Sequence, residues 1–218
     1  MKVYSLFNNF STSNKELFDI SKAWFAVSLA FGIVLGGINS LFFKAFLIAA
    51  IAVGLGFLLH ELSHKVIAQR YKFKAEFRSF DNMLFLAVIM SFFGFVFAAP
   101  GAVMILSRIY DIRKTGIISV AGPVMNIIIA ILCLFIIFIL DGFSMLSLGI
   151  SQIINLPLYL SIPIIGFLVN SWLALFNMIP FWQFDGAKIF KWNKLIYFSI
   201  VIISAFLVFG VSLLIQKL

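Results

Sequence analysis

The amino-acid sequence predicts an all-α membrane protein, built as a polytopic bundle of five to six transmembrane helices. Of its 218 residues, 63% are hydrophobic and only 11% are charged. Several apolar runs approach or exceed the roughly 20 residues that cross a bilayer. The basic residues lie in short segments between these runs, so the net charge of +8 indicates membrane topology rather than nucleic-acid binding. We therefore expect the lipid bilayer, and no nucleic acid, as a partner.

Six apolar runs follow one another along the chain, at residues 23–38, 45–68, 83–97, 117–140, 156–178 and 196–215. Before them, residues 1–22 mix polar and apolar side chains. Ser13 and Glu16 have the spacing of a capping box, which predicts a helix start near Asn14. We expect residues 1–22 to form an interfacial segment and residues 23–218 to form the membrane domain.

The positions of Lys and Arg orient the runs. Basic residues cluster before the first run and at residues 65–78, 108–114 and 188–194. The positive-inside rule places these segments and the N-terminus in the cytoplasm, with Lys44 and Lys217 as exceptions. This pattern predicts a multi-pass protein of the cell membrane.

The third run is the unusual one. Both flanks of residues 79–107 are basic, so both should be cytoplasmic. The run has only about 15 apolar residues, and Pro100 and Gly101 interrupt a helix after it. We therefore predict a short re-entrant or β-like element here, between the helix that carries HELSH and the helix that carries GPVMN. The alternative is a sixth crossing.

The second run contains GFLLHELSHKV, residues 56–66. His60 and His64 are the two histidines of the chain, and their i, i+4 spacing puts both imidazoles on one helix face. Glu61 lies beside them, which completes the H-E-x-x-H pattern of zinc metallohydrolases. An unpaired charge at this depth would cost about 2.5 kcal/mol or more. A metal site explains all three side chains, whereas a structural role does not.

A catalytic zinc takes three protein ligands and keeps one position open. The candidates for the third ligand are Glu16, Asp19, Glu76, Asp81, Asp111, Cys133, Asp141 and Asp185. His60 should lie in the cytoplasmic third of its helix. Asp185 comes just after a later run that also ends in the cytoplasm, so it can fold back to the same depth. Asp185 is therefore the preferred ligand, and the alternative is a surface turn residue before Gly186.

Three motifs, HELSH, AGPVMN and NMIPFWQFDG, resemble in this order the site-2 protease family of intramembrane zinc metalloproteases, over about residues 45–190. The resemblance implies that His60, His64 and Asp185 bind one Zn²⁺ per chain, that Glu61 activates water, and that Asn126 assists at the site. It also implies a sheet-like element where APGAVMI stands. Ser63 stands where the family often has glycine, and this change leaves the ligands untouched. QFDGA departs from the D-G-G of the family, and this departure affects the loop and the fit of the substrate.

We therefore expect a zinc-dependent endopeptidase that cuts transmembrane segments of other proteins near the cytoplasmic face. Asn126 would hold the oxyanion or the substrate backbone. A strand edge would pair with the extended substrate, and its residues would be Gly101, Ala102, Val103, Met104 and Ile105. The alternatives are a metal transporter or channel, and an inactive relative that binds membrane proteins. The sequence leaves the substrate and the oligomeric state open.

Overall fold

The computed structural model describes residues 3–7, 10–96, 100–106, 111–211 and 213, and within them the chain is predominantly helical. The α-helices are α1 (Asn14–Gly36), α2 (Phe42–Ala49), α3 (Leu55–Arg70), α4 (Asp81–Ser91), α5 (Ile112–Ile139), α6 (Ile150–Asn155), α7 (Leu158–Asn177), α8 (Asp185–Trp192) and α9 (Lys194–Ala205). π-Helical segments join α2 to α3 and continue α9, at Ala50–Gly54 and Phe206–Gly210. The strands are β1 (Val3–Phe7), β2 (Phe10–Ser13), β3 (Lys74–Ser79) and β4 (Gly101–Leu106).

Four of the described helices are long and apolar enough to cross a membrane, and these are Asn14–Gly36, Phe42–Arg70, Ile112–Ile139 and Leu158–Asn177. A shorter apolar helix, Lys194–Gly210, follows them. These elements confirm the predicted all-α membrane protein. The predicted count of five to six is reached only if this shorter helix also crosses. The end of the last predicted run, residues 214–215, lies outside the described residues.

Helix α1 begins at Asn14, as the sequence predicts. The hydroxyl of Ser13 accepts a hydrogen bond from the backbone N–H of Glu16, with 3.2 Å between Ser13 Oγ and Glu16 N. The helix then continues without a break to Gly36, across the boundary that the composition indicates at residue 22. Ahead of it, β1 and β2 pair as an antiparallel hairpin that the sequence did not predict.

A buried ion pair ties α1 to the rest of the molecule. The Nζ atom of Lys65 lies 2.6 Å from Oε2 of Glu16, and neither side chain is exposed. The hydroxyl of Thr12 donates to the same oxygen, while the backbone N–H of Phe77 donates to Oε1 at 2.9 Å. All polar atoms of the Glu16 carboxylate are therefore satisfied, and the carboxylate connects α1, α3 and strand β3.

Along the chain, helix α4 connects strands β3 and β4, which pair with each other. Ser79 at the end of β3 pairs with Gly101 at the start of β4. The chain therefore leaves and returns at one point and makes no net crossing between them. Helix α4 has 11 residues and a length of about 16 Å, roughly half of the hydrocarbon core. This geometry confirms the predicted β-like element and disfavours a sixth crossing, although the predicted run included residue 97, which lies outside the described residues.

Helix α5 packs against α3, α7 and α8. Its inner face is buried and includes Gly122, Pro123 and Asn126. The outer face exposes large apolar side chains such as Phe135 and Phe138, as a lipid-facing surface requires. The junction of α3, α5 and α8 is therefore the place where polar side chains are shielded from the lipid.

Candidate metal centre

His60 and His64 project from one face of α3 into the junction with α5 and α8. Both imidazoles are buried, and their Nε2 atoms lie 3.2 Å apart. The i, i+4 spacing on a helix brings the two rings together without any help from the rest of the fold. Two nitrogen ligands for a single metal ion are thus held on one rigid element.

Asp185, the first residue of α8, brings a carboxylate to the same point. Its Oδ2 atom lies 3.3 Å from Nε2 of His60 and 3.1 Å from Nε2 of His64. The preceding turn reverses the chain through Trp182, which adopts a positive φ of 56°. Gly186 packs so tightly on the carbonyl of Met178 that a Cβ atom would collide with it. The glycine after Asp185 is therefore required by this close backbone approach.

Two hydrogen bonds determine which imidazole nitrogens carry protons. Nδ1 of His64 lies 2.8 Å from the carbonyl oxygen of Ile118, and a carbonyl can only accept. Nδ1 of His60 is hydrogen-bonded to Oδ1 of Asn126. In the neutral rings both Nδ1 atoms therefore donate, and both Nε2 atoms present lone pairs. Together with the Asp185 carboxylate, these lone pairs converge without a hydrogen atom between them, so the arrangement needs a cation.

The three atoms have the dimensions of a metal site. Ligands held about 2.0–2.1 Å from a tetrahedral ion lie about 3.3–3.4 Å from one another. The three separations here are 3.1, 3.2 and 3.3 Å. Within the described part of the chain, His60, His64 and Asp185 are the one group of three side chains that could hold a metal ion.

Gly122 forms the wall of this site on α5. A Cβ atom added there would lie against Nε2 of both His60 and His64. The absence of a side chain at residue 122 therefore keeps open the space in front of the two lone pairs. This is the structural reason for a glycine at this position of the AGPVMN segment.

The second oxygen of the Asp185 carboxylate faces a cation. Its Oδ1 atom lies 3.6 Å from Nζ of Lys188, one turn along α8. Burial by itself raises the pKa of the Asp185 carboxyl, but the imidazoles of His64 and His60, when they are protonated, lower it below its usual range. A bound cation would favour the ionised carboxylate in the same way.

Glu61 lies beside this cluster without belonging to it. Its Oε2 atom accepts a hydrogen bond from the backbone N–H of Val103 in strand β4, at 3.1 Å. Because that N–H and the N–H of Phe77 both donate to side chains, Val103 and Phe77 form a non-hydrogen-bonded pair of the hairpin. Strand β4 therefore turns the backbone groups of Val103 toward Glu61.

The register of the hairpin also determines which way the backbone groups of the other predicted strand residues point. Gly101, Val103 and Ile105 direct their backbone groups away from β3, whereas Ala102 and Met104 direct theirs into the hairpin. No third strand pairs with β4 among the described residues. The outer edge of β4 is therefore not paired with another described strand, and Glu61 contacts this edge at Val103.

Comparison with known proteins places this arrangement in a family. Residues 48–158 match the model of peptidase family M50. The chain is also 34% identical, over 189 residues, to a protein of Methanocaldococcus jannaschii named "Putative zinc metalloprotease MJ0611", with 86% of this chain and 90% of the relative covered. The chain belongs to peptidase family M50. The predicted resemblance to the site-2 protease family is confirmed, and the chain is a membrane metalloprotease. No solved structure matches it significantly.

The range that matches the M50 model contains His60, Glu61 and His64, together with strand β4 and Asn126. Asp185 lies beyond the range that matches the family model. The alignment with the archaeal relative covers 86% of this chain. The structure brings Asp185 and the two histidines together and places Glu61 beside them. Asn126 is fully buried, with both polar atoms hydrogen-bonded to protein side chains, so its contacts favour a role in holding His60 over the predicted contact with the oxyanion.

Asn170, which the sequence motifs did not indicate as a site residue, lies in the interior of α7 and is fully buried. Its amide accepts a hydrogen bond from Nδ2 of Asn126 at 2.8 Å. A lone amide within an apolar run is itself a signal, because unpaired polar groups are costly in a membrane. The sequence could not show which helix Asn170 faces.

Proposed function

We propose that this M50 metalloprotease is a zinc-dependent intramembrane endopeptidase that hydrolyses peptide bonds in or near transmembrane segments of other proteins. The observation that carries the proposal is the convergence of three ligand atoms beside a free carboxylate, at a helix that is long and apolar enough to span a membrane. Metal-dependent hydrolysis of a peptide bond uses that combination, whereas a bundle that only binds its partners has no need of it.

Zinc is the metal that best suits the donor set. Two imidazole nitrogens and one carboxylate oxygen, with a fourth position left open, are typical of catalytic zinc sites. The name of the archaeal relative also specifies zinc. When bound, such an ion polarises the scissile carbonyl and lowers the pKa of a water molecule. Since the described residues hold a single cluster of this kind, we expect one ion per chain, which does not favour a transporter with several stacked sites.

Glu61 is the residue that would move the proton. Its carboxylate lies next to the ligand cluster but is not needed as a ligand. It would take the proton of the attacking water and later give it to the leaving amine, as a general base and then a general acid. The hydrogen bond from Val103 holds Oε2, which leaves Oε1 as the oxygen that can accept this proton.

Strand β4 is the segment that would hold the substrate. A helical substrate must be unwound before it is cut, and its exposed N–H and C=O groups are then costly in a dry environment. The outer edge of β4 offers backbone groups at Gly101, Val103 and Ile105, and pairing with them would satisfy those groups. Glu61 contacts this edge at Val103, so a strand added to the edge would run past the candidate metal centre.

The proposed site lies toward the cytoplasmic face of a multi-pass protein of the cell membrane. The basic cluster after α3 and the basic residues of α8 support this orientation, with the N-terminus in the cytoplasm. His60 is ten residues from the end of α3 at Arg70, about 15 Å along the helix axis.

The experiment that tests the proposal uses the purified full chain, reconstituted with a panel of membrane-spanning substrates. Cleavage should occur with zinc, stop after treatment with a zinc chelator, and return when zinc is restored. The variant Asp185→Asn, which replaces one ligand, should show neither tight zinc binding nor cleavage. Cleavage that persists without metal would contradict the proposal.

A further inference from the structure

Two buried amides connect His60 to the main chain of distant helices. Oδ1 of Asn126 is hydrogen-bonded to Nδ1 of His60, and Nδ2 of Asn126 donates to Oδ1 of Asn170 at 2.8 Å. Nδ2 of Asn170 donates in turn to the carbonyl oxygens of Ala52 and Gly166, at 3.1 and 2.8 Å. We call Asn170 and Asn126 together the amide relay, and both side chains are fully buried.

The direction of every hydrogen bond in the amide relay follows from its far end. Backbone carbonyls can only accept, so the NH₂ group of Asn170 must face Ala52 and Gly166. Its oxygen then faces Asn126, which must present its own NH₂ group to that oxygen. The oxygen of Asn126 is left for His60, which must donate from Nδ1. The lone pair of His60 is thereby assigned to Nε2, the atom that faces Asp185.

Without Asn170 this assignment would be lost. An amide can rotate by 180° at little steric cost, because its oxygen and nitrogen are nearly the same size. A rotated Asn126 would present N–H groups to Nδ1 of His60. The ring would then carry its proton on Nε2, which points at the metal site and cannot bind an ion in that form. The amide relay therefore keeps His60 in the tautomer that can bind a metal ion.

We infer that Asn170 is a positioning residue of the metal centre, which fixes the tautomer and the ring orientation of His60 through Asn126. The inference rests on the proposed function for the identity of the metal. Gly56, one helical turn before His60, supports it: a Cβ atom there would collide with the amide of Asn170. Position 56 therefore lacks a side chain where the relay approaches α3.

The test compares Asn170→Ala in two backgrounds, with zinc affinity measured by competition with a chromophoric chelator on the full chain in detergent. In the wild-type background we expect affinity to fall about tenfold or more, as for other residues that support a metal ligand. In an Asn126→Asp background we expect no fall, because a carboxylate presents an oxygen to His60 in either orientation. Ser171→Ala is the matched control. Ser171 is the buried neighbour of Asn170, and its hydroxyl has no partner among the described residues.

Equal losses in both backgrounds would mean that Asn170 acts through packing alone, and this result, like the absence of any loss, would overturn the inference. If Asn170→Ala does not fold, Asn170→Leu, which retains the size of the side chain, enters the same comparison with the same criteria. Circular dichroism and thermal melting of each variant verify that the helices are intact.

A second readout needs no metal and no activity. The chain contains two histidines, so ¹⁵N-histidine labelling gives signals from His60 and His64 alone. In the metal-free protein, under alkaline conditions where both rings are neutral, each wild-type ring should carry its proton on Nδ1. Asn170→Ala should change the tautomer of His60 and leave His64 unchanged, because His64 donates to the carbonyl of Ile118. Equal changes in both rings, or none, would contradict the relay.

The two measurements also separate this inference from the proposed function. A wild-type chain that binds no zinc would contradict the zinc protease, while the tautomer of His60 would still report on the amide relay. A chain that binds zinc and cleaves substrate, but whose His60 is insensitive to Asn170, would retain the proposed function and lose the inference.

Discussion

Strand β4 and the Glu61 carboxylate are in direct contact: the backbone nitrogen of Val103 lies 3.1 Å from Oε2 of Glu61 and donates a hydrogen bond to it. The candidate base is therefore oriented by the same strand edge that is proposed to bind the substrate. A substrate strand that paired with Val103 would compete for this N–H group. Docking of the proposed substrate strand and the orientation of Glu61 would therefore be coupled by one hydrogen bond.

Proline at position 103 should remove that donor and leave the hairpin in place, because the N–H of Val103 is not part of the ladder with β3. We expect Val103→Pro to abolish cleavage of a helical substrate while zinc content stays at the wild-type value. Val103→Thr, which keeps the N–H group and the β-branched shape, is the matched control. Wild-type cleavage by Val103→Pro would mean that the edge of β4 has no part in the reaction.

Proline at position 104 should act differently. The backbone groups of Met104 belong to the ladder with β3, so Met104→Pro should disrupt the hairpin itself and lower the melting temperature. Thermal melting in detergent measures the difference between the two variants. If they destabilise the protein equally, the register assigned to the hairpin is wrong.

Replacing Glu61 by glutamine should separate metal binding from chemistry. Glutamine has nearly the same shape and can still accept the hydrogen bond from Val103, but it cannot take a proton. Cleavage by Glu61→Gln should fall by a factor of at least about 100, and elemental analysis should find as much zinc as in the wild type. A variant with full activity would require another residue to activate the water.

A methyl group at position 122 should block the metal site from the α5 side. We expect Gly122→Ala to lose zinc because the new Cβ atom would lie against Nε2 of His60 and His64. Alanine is a better helix former than glycine, so a loss of zinc could not be attributed to a weaker α5 helix. Gly149→Ala is the control, since its Cβ atom would meet nothing closer than 3.8 Å. Equal zinc content in Gly122→Ala and the wild type would contradict the proposed ligand geometry.

Cysteine labelling tests the orientation in the membrane. In a Cys133→Ser background, which removes the one native cysteine, the variants Arg70→Cys and Arg113→Cys should react with an impermeant reagent from the same side. Ser144→Cys should react from the opposite side. All three positions are exposed. Opposite labelling of residues 70 and 113 would mean that the intervening segment crosses the membrane.

The sequence predicted the parts of the site that depend on local geometry or on depth. His60 and His64 follow from helical spacing, and the preference for Asp185 follows from the ends of two helices that meet at one membrane depth. The strand at residues 101–105 was also predicted, from its β-prone residues and from the helix break before it. None of these inferences requires knowing which faces of two helices meet.

The remaining features depend on which helix faces meet. Asn170 contacts Asn126, which lies 44 residues earlier in the sequence. The sequence of each helix does not indicate that these two side chains are partners. The π-helical segment Ala50–Gly54 also changes the phase of the face that leads into α3. For the same reason the sequence did not reveal that Val103 donates to Glu61, 42 residues earlier.

The buried pair of Glu16 and Lys65 has a practical consequence for work on this protein. Lys65 directly follows the ligand His64, yet its carboxylate partner lies on α1, well before residue 48, where the match to the family model begins. A shortened chain that starts at that boundary would lose both the counter-charge of Lys65 and part of the structure that covers it. Loss of one member of a pair that stays buried costs about 3–5 kcal/mol, so we expect a minimal protease to need the N-terminal helix.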